Sequence, residues 1–203
     1  MFVSIEGPDG VGKSTLIKNL KVRYPEALFI REPGTTSAGE KIRDILLHLK
    51  QDLNVTSEVL LFLASMSETS EKVMRPALNS GRLVFSDRWY FSTIAYQSYA
   101  TDNHRVKDLI EDITDNSDIL KPDHNIIILS SWETVKSRLL KRGTTDKLES
   151  RDLDYKKKVY DYYLKECPGI KISSEGSEDD TFSSFIDVFN ELNFQHNTLN
   201  SST

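Results

Sequence analysis

The residues best suited to chemistry form a glycine-rich run near the N-terminus. Residues 7–14 read GPDGVGKS, which matches the nucleotide-binding pattern G-x-x-x-x-G-K-[ST] between an apolar strand and a helix. Curled backbone N–H groups and the positive end of the helix would form an anion cradle, with Lys13 on the β- and γ-phosphates and Ser14 on Mg²⁺. An ordinary glycine-rich turn would explain neither the spacing nor the Lys-Ser ending. The predicted nucleotide-binding residues are Gly7, Pro8, Asp9, Gly10, Val11, Gly12, Lys13, Ser14 and Thr15.

Two charged residues end a later apolar run. Residues 82–87 read RLVFSD, and Asp87 at the end of this predicted strand is a second candidate for holding Mg²⁺ and its water shell. The alternative is a strand-end Asp that caps the next helix. Arg88 follows directly, and an Arg beside a phosphate cradle can clamp a second phosphate with two parallel hydrogen bonds. Two adjoining phosphate sites predict phosphoryl transfer between nucleotides.

The elements that must position these residues alternate along the chain. Short apolar runs bounded by turn residues predict strands at residues 2–6, 28–31, 83–87, 125–129 and 170–172. Apolar residues at helical spacing between the strands predict amphipathic helices, including a long helix capped by Ser57 and bent near Pro76. The predicted fold is α/β: a P-loop NTPase fold with a five-stranded parallel sheet flanked by helices and a short lid.

The composition predicts one domain, at residues 1–194, followed by a polar tail, residues 195–203, that we expect to be disordered. A charged fraction of 28% argues against a membrane span. The formal net charge of −5 argues against a partner that is a nucleic-acid polymer. Cys167 is the single cysteine, which excludes a disulfide framework and favours a reducing, cytoplasmic location.

Several segments, taken in order, together resemble one family. They are residues 6–15 (EGPDGVGKST), 31–35 (REPGT), 60–62 (LLF), 76–78 (PAL), and 87–88 (DR) followed by Ser92 and residues 95–97 (AYQ). This series resembles the thymidylate kinases, specifically the bacterial branch, over residues 1 to about 165. The resemblance implies transfer of the γ-phosphoryl group of ATP to a deoxynucleoside monophosphate, dTMP giving dTDP, with Mg²⁺ as cofactor. It also implies a homodimer.

The resemblance also implies an acceptor site. Arg31 to Gly34 would form a loop over the acceptor, Phe62 would stack on the pyrimidine, and Gln97 would face the polar edge of thymine. Phe62 as a core residue and Arg43 on a solvated helix face are the alternatives from the residues alone. The implied acceptor residues are Asp9, Glu32, Pro33, Arg43, Phe62, Met66, Arg88, Ser92, Thr93, Tyr96 and Gln97.

A basic stretch resembles the lid of nucleotide kinases. Residues 132–147 read as a helix running into a GTT loop, and the lid is predicted at about residues 141–150. A lid excludes water and brings cations onto the phosphates when it closes. Arg138 would contact the donor nucleotide, and Arg142 or Lys147 would join Lys13 and Arg88 as a catalytic cation. The family has Asp-Arg where this chain has Asp146-Lys147, and Lys lacks the planar fork of Arg.

A second departure concerns base selection. The family has an Arg four residues after the stacking Phe, where it binds the thymine carbonyl, whereas this chain has Met66. Apolar fit discriminates only about 10- to 200-fold, so we expect relaxed base specificity. Two other functions remain open from the sequence. The chain could be another P-loop nucleoside or nucleotide kinase, or a regulatory module that hydrolyses ATP slowly as a switch.

Overall fold

A computed structural model describes residues 1–142 and 151–200. Among these residues, five strands form one sheet with the order β2-β3-β1-β4-β5, and every neighbouring pair is parallel. The strands are β1 (Phe2–Glu6), β2 (Leu28–Arg31), β3 (Val84–Asp87), β4 (His124–Leu129) and β5 (Ile170–Ser173). The predicted α/β fold is confirmed, and each strand boundary lies within one residue of its predicted position.

Helices cover both faces of the sheet. In the described residues they are α1 (Lys13–Arg23), α2 (Ser37–His48), α3 (Val55–Thr69), α4 (Arg75–Asn79), α5 (Tyr90–Thr93), α6 (His104–Asp115), α7 (Trp132–Arg142), α8 (Leu153–Lys165) and α9 (Glu178–Asn200). Two π-helical segments, Ser70–Met74 and Ile94–Ser98, extend α3 and α5, and a short 3-10 segment, Tyr99–Thr101, follows the second.

The long helix α3 begins earlier than its sequence suggested. Asn54, not Ser57, is the N-cap residue: its side-chain oxygen accepts the backbone N–H of Ser57 at 2.9 Å. Asn and Ser are both common N-cap residues, but here the side chain of Asn54 accepts the backbone N–H that would otherwise be unpaired in the first turn. Pro76 lies at the start of α4, directly after the π-helical turn Ser70–Met74, and this wider turn accommodates a residue without an N–H in a continuous helical run.

The core lies in two layers, one on each face of the sheet. Phe2 and Val84 pack toward α3, α6 and α8, whereas Val3, Ile5 and Phe85 pack toward α1 and α9. Side chains alternate across a strand, so a strand buried on both faces reads as a continuous apolar run. This burial holds the carboxyl ends of β1 and β3 firmly side by side.

The expected disorder after residue 194 is wrong for residues 195–200. Helix α9 continues through Asn200, and the hydroxyl of Thr198 donates to the carbonyl of Phe194 at 2.8 Å. Buried Phe185 and Phe189 anchor the earlier turns of the same helix, which lets its polar end propagate. Within the described ranges, no helix is both long enough and apolar enough to cross a membrane.

Candidate active site

The candidate site is a cleft of about 500 Å³ at the carboxyl ends of β1, β2 and β3. The parallel register places Asp87 beside both Ile5 of β1 and Arg31 of β2, so the loops after these strands meet at one edge of the sheet. Ligands of open α/β sheets bind at this edge. The cleft is lined by Asp9, Gly10, Gly12, Lys13, Ser14, Thr15, Arg31, Glu32, Pro33, Arg43, Leu47, Phe62, Met66, Asp87, Arg88, Trp89, Ser92, Thr93, Tyr96, Gln97 and Arg138.

Glycines shape the loop between β1 and α1. Gly7 has a φ of 138°, and a Cβ there would lie 2.3 Å from the carbonyl oxygen of Ile128. Gly12 is left-handed, with a φ of 97°, at the N-cap of α1. Because only glycine adopts both conformations without strain, the backbone can turn its N–H groups toward the space in front of the helix. The predicted anion cradle therefore has the backbone that it requires.

Lys13 lies buried under this loop. Its Nζ donates to the carbonyl oxygens of Gly7 and Pro8, each at 2.8 Å. Burial, followed by the positive charge of Arg88, lowers the pKa of the Lys13 ammonium to about 7. A phosphate bound beside Nζ would stabilise the charged form of this buried amine.

Arg88 stands at the centre of a polar network. Its guanidinium donates to Asp9 Oδ1 at 2.5 Å, to the Gly7 carbonyl at 3.0 Å, to Ser92 Oγ at 2.9 Å and to Tyr96 OH at 3.2 Å. The same guanidinium lies 5.1 Å from the centroid of the Tyr96 ring. The backbone of Arg88 is left-handed, with a φ of 69°. A non-glycine residue in this region is strained, a feature found often at functional sites.

Glu6 fixes the segment that follows Arg88 and was not among the predicted site residues. Its buried carboxylate accepts hydrogen bonds from the Trp89 N–H at 2.7 Å, from Ser92 Oγ at 2.6 Å and from Tyr163 OH at 2.8 Å. Burial raises the pKa of Glu6, whereas these donors and Arg88 act in the opposite direction. The signal available in the sequence was a Glu at the end of an apolar run, because a charged group in a buried strand requires partners.

The loop after β2 brings two predicted acceptor residues to the cleft. Glu32 accepts hydrogen bonds from Ser65 Oγ and Thr69 Oγ1 of α3, both at 2.5 Å, and burial raises its pKa. Arg43 donates from Nη1 to the carbonyl of Pro33 at 3.0 Å. The hydrogen bonds fix the loop against α2 and α3, so that its polar groups edge the cleft.

The opposite wall of the cleft comes from α3 and the segment after α5. Phe62 is partly exposed, Met66 is buried, and both line the cleft together with Gln97. The Gln97 amide Nε2 donates to Glu58 Oε2 at 3.3 Å. An aromatic ring and a buried amide in one pocket suit a planar heterocycle with a polar edge.

A second cleft of about 270 Å³ adjoins the glycine loop. Arg138 lines both clefts and donates to the carbonyl of Gly10 at 3.2 Å and to that of Ser174 at 3.4 Å. Arg138 thereby ties the glycine loop to the segment after β5. The second cleft is lined by Gly10, Val11, Gly12, Thr15, Leu16, Arg138, Ser174, Gly176, Ser177, Glu178 and Thr181.

Most predicted site residues share the main cleft, and the exceptions have structural reasons. Val11 is buried and lines only the second cleft, while Gly7 and Pro8 offer their carbonyls to Lys13 behind the loop. Lys147 and the predicted lid from residue 143 onward lie outside the described residues, as does the side chain of Arg142. Besides Glu6, sequence reasoning missed Leu47, Glu58, Trp89, Tyr163, Ser174, Gly176, Ser177 and Thr181.

Known proteins resemble this chain over most of its length. The family model described as thymidylate kinase matches residues 5–179. The thymidylate kinase of Lactobacillus helveticus is 39% identical over 176 residues, 81% of each chain. That of Campylobacter concisus is 40% identical over 162 residues, 78% of this chain and 80% of the relative.

A solved structure agrees in three dimensions. The crystal structure of thymidylate kinase from Ehrlichia chaffeensis superposes with a TM-score of 0.69 at 27% sequence identity, covering 94% of this chain and 98% of the other. The strand order places the glycine loop after β1 beside Asp87 and Arg88 at the end of β3. All of these residues lie within the region matched by the family model. The chain belongs to the thymidylate kinase family.

Proposed function

We propose that this chain transfers the γ-phosphoryl group of ATP to dTMP, giving dTDP and ADP. The observation that carries the proposal is the position of Lys13 and Arg88, which follow neighbouring strands and line one cleft. One group suits the phosphates of a donor, the other the phosphate of an acceptor. Family membership supports the same reaction.

The donor end is the glycine loop with the N-terminus of α1. The loop N–H groups and Lys13 bind the β- and γ-phosphates, and the second cleft beside Arg138 and Ser177 receives the rest of ATP. Arg142 and Lys147 remain candidate lid cations. These charges stabilise a transition state in which negative charge spreads over the transferred group.

The acceptor end is the pocket between α3 and the segment after α5. Phe62 stacks on the pyrimidine, Gln97 faces its polar edge, and Arg43 and Arg88 hold the 5′-phosphate. Asp9 and Tyr96 lie where the sugar would pass, with Ser92 and Thr93 beside them. The acceptor phosphate oxygen is already a nucleophile, so alignment and charge stabilisation suffice without a covalent enzyme intermediate.

The site also fits Mg²⁺. The Ser14 hydroxyl and the Asp87 carboxylate line the same cleft, and Mg²⁺ prefers oxygen ligands shared with substrate phosphates. When bound, the ion would neutralise charge on the β- and γ-phosphates.

The cytoplasmic location expected from the lone Cys167 stays a prediction.

An acceptor panel tests both the reaction and its base specificity. With ATP and Mg²⁺, coupled ADP release should be fast with dTMP, detectable with dUMP and dCMP, and absent with thymidine. Thymine and cytosine differ at the carbonyl that the family's Arg would bind, and buried Met66 offers only apolar contact there, so we expect the preference for dTMP over dCMP to stay below about 200-fold. ATP turnover that needs no acceptor would favour the regulatory ATPase instead, and a preference above about a thousandfold would contradict the role given to Met66.

We also propose that the chain forms a homodimer through the helices α2 and α3. These helices pack against each other, yet Ile45 of α2 and Leu49, directly after it, are 39% exposed, and Leu60 of α3 is 47% exposed. An interface formed by α2 and α3 would remove these apolar side chains from water, in line with the homodimer that the family resemblance implies. Light scattering after gel filtration should give twice the chain mass for the wild type and one chain mass for Leu60→Lys. A monomeric wild type at micromolar concentration would contradict the proposal.

A further inference from the structure

The buried carboxylate of Glu58 lies behind the pocket proposed for the acceptor base. Glu58 stands in the first turn of α3 with a side chain only 8% exposed. Its Oε2 accepts the Gln97 amide at 3.3 Å, and its Oε1 lies 3.9 Å from Nη2 of Arg151. Glu58 does not line the cleft itself, so it can act on a ligand only through Gln97.

The contact with Glu58 decides which way the Gln97 amide faces. A carboxylate paired with a guanidinium only accepts hydrogen bonds, so the amide must turn its NH₂ toward Glu58. The amide oxygen then lies at the other end of the same group. In the described residues, no group donates a hydrogen bond to that oxygen, while Gln97 lines the cleft. The pocket therefore offers an acceptor, not a donor, at this point.

A second contact holds this corner of the pocket together. The guanidinium of Arg151 lies 5.5 Å from the centroid of the Tyr155 ring. The Tyr155 hydroxyl donates to the carbonyl of Tyr96, the residue before Gln97, at 2.6 Å. Arg151 and Tyr155 thus connect the start of α8 to Glu58 and to the Tyr96 carbonyl next to Gln97, which holds the carboxylate and the amide in the same corner of the pocket.

We propose that Glu58 is a positioning residue that selects keto pyrimidines over cytosine by fixing Gln97 as a hydrogen-bond acceptor. Thymine and uracil carry a donor at N3, which this oxygen can accept. Cytosine carries a lone pair at N3, and two acceptors facing each other in a buried pocket leave both unsatisfied. This selection rests on the proposed function. It also explains how a pocket with Met66 in place of a cation can reject a base of nearly equal size.

The test compares dUMP with dCMP, which differ at the polar edge but lack the methyl group of thymine. For the wild type we expect kcat/KM to favour dUMP by on the order of 10- to 100-fold. In Glu58→Gln, the new amide can donate or accept, so Gln97 can turn either end toward the base. The preference should then fall about tenfold, with part of the change a gain in activity toward dCMP.

A matched control and a second variant at position 58 separate positioning from general damage. Glu71→Gln makes the same chemical change at an exposed helix position paired with Arg75, and its base preference should equal that of the wild type. Glu58→Met, a second variant at this position, removes the carboxylate and should also release Gln97, while the remaining guanidinium of Arg151 is 43% exposed and can be hydrated. Equal losses toward both nucleotides in the Glu58 variants, or no preference in the wild type, would overturn the inference.

A wrong proposed function would give a different result from a wrong role for Glu58. If the wild type phosphorylates no deoxynucleoside monophosphate, the proposed reaction is wrong, whatever Glu58 does. Equilibrium titration with dUMP and dCMP then still measures the preference of the pocket directly. A wild-type preference for dUMP that disappears in Glu58→Gln would support the positioning role, and an unchanged preference would refute it.

Discussion

Replacing Lys13 with Met should lower kcat by about 10³-fold, because one preorganised charge on the transferred phosphoryl group is lost. Lys13 is buried, and both of its described acceptors are carbonyls of the glycine loop. Met has a similar length and no charge, so the fold should survive the change. Steady-state ADP release with dTMP measures the loss, and circular dichroism checks the fold.

Lys18→Met is the matched control. Lys18 lies on the exposed side of the same helix, α1, so its removal should leave kcat unchanged. A Lys13→Met enzyme with nearly normal turnover would remove Lys13 from the mechanism. Parallel loss of activity in both variants would point instead to damage in α1.

The lowered pKa of Lys13 also predicts how the stability of the fold depends on pH. Burial, then the charge of Arg88, lowers the folded-state pKa to about 7, whereas lysine in an unfolded chain titrates at about 10.4. Between these values the unfolded chain binds more protons, so the free energy of unfolding should rise with pH from about 7 to 10 relative to Lys13→Met. Urea denaturation of both proteins at pH 7 and pH 9.5 measures this difference. If the free energy of unfolding changed by the same amount with pH in both proteins, the lowered pKa of Lys13 would be contradicted.

The same shift predicts proton uptake when ATP binds. Phosphate oxygens near Nζ favour the charged amine, so binding at pH 8 should draw a proton from the buffer. Titration calorimetry in two buffers with different ionisation enthalpies should give different apparent binding enthalpies for the wild type. The difference should shrink in Lys13→Met.

The amino-acid sequence was informative wherever a pattern is local. Buried parallel strands read as apolar runs, and the run at residues 7–14 carries its own backbone requirements in its glycines. Both predictions needed only neighbouring residues. The fold class, the strands and the glycine-rich loop between β1 and α1 could therefore be predicted from the sequence, whereas the order of the strands in the sheet was not.

Contacts between distant residues could not be predicted in this way. Tyr163 meets Glu6 across 157 positions, and Glu58 meets Gln97 across 39. No local pattern pairs these residues, because their approach depends on how α3, α5 and α8 pack. The sequence could flag each as an unexpected buried polar group, but only the fold supplies the partner.

The positions of two helix ends were predicted wrongly for a different reason. Asn54 and Ser57 are both good capping residues, and propensity alone does not choose between them. The polar run after Phe194 resembles a tail in composition, yet α9 continues through it because its earlier turns are anchored by buried Phe185 and Phe189. Tertiary packing overrides weak local preference in such cases.

Replacing Arg88 with Lys should lower kcat/KM for dTMP by about 10²- to 10³-fold while leaving the overall charge unchanged. The guanidinium of Arg88 reaches Asp9, Gly7, Ser92 and Tyr96 at once, which requires its planar fork. An ammonium offers a point charge from a shorter span, so it can satisfy Asp9 or a phosphate but not hold both in alignment. Both kcat and KM should therefore change.

The kinetic pattern distinguishes two roles for Arg88. A rise in KM alone would mean that Arg88 only binds the acceptor, whereas a fall in kcat means that its contact strengthens in the transition state. Arg75→Lys, at a partly exposed helix position that does not line the cleft, is the control and should behave as wild type. Both Arg and Lys bear the left-handed backbone at position 88 equally, so backbone strain does not enter the comparison. Activity of Arg88→Lys within threefold of wild type would show that charge alone is sufficient, and that the strained strand end serves a purpose other than presenting the guanidinium to the acceptor phosphate.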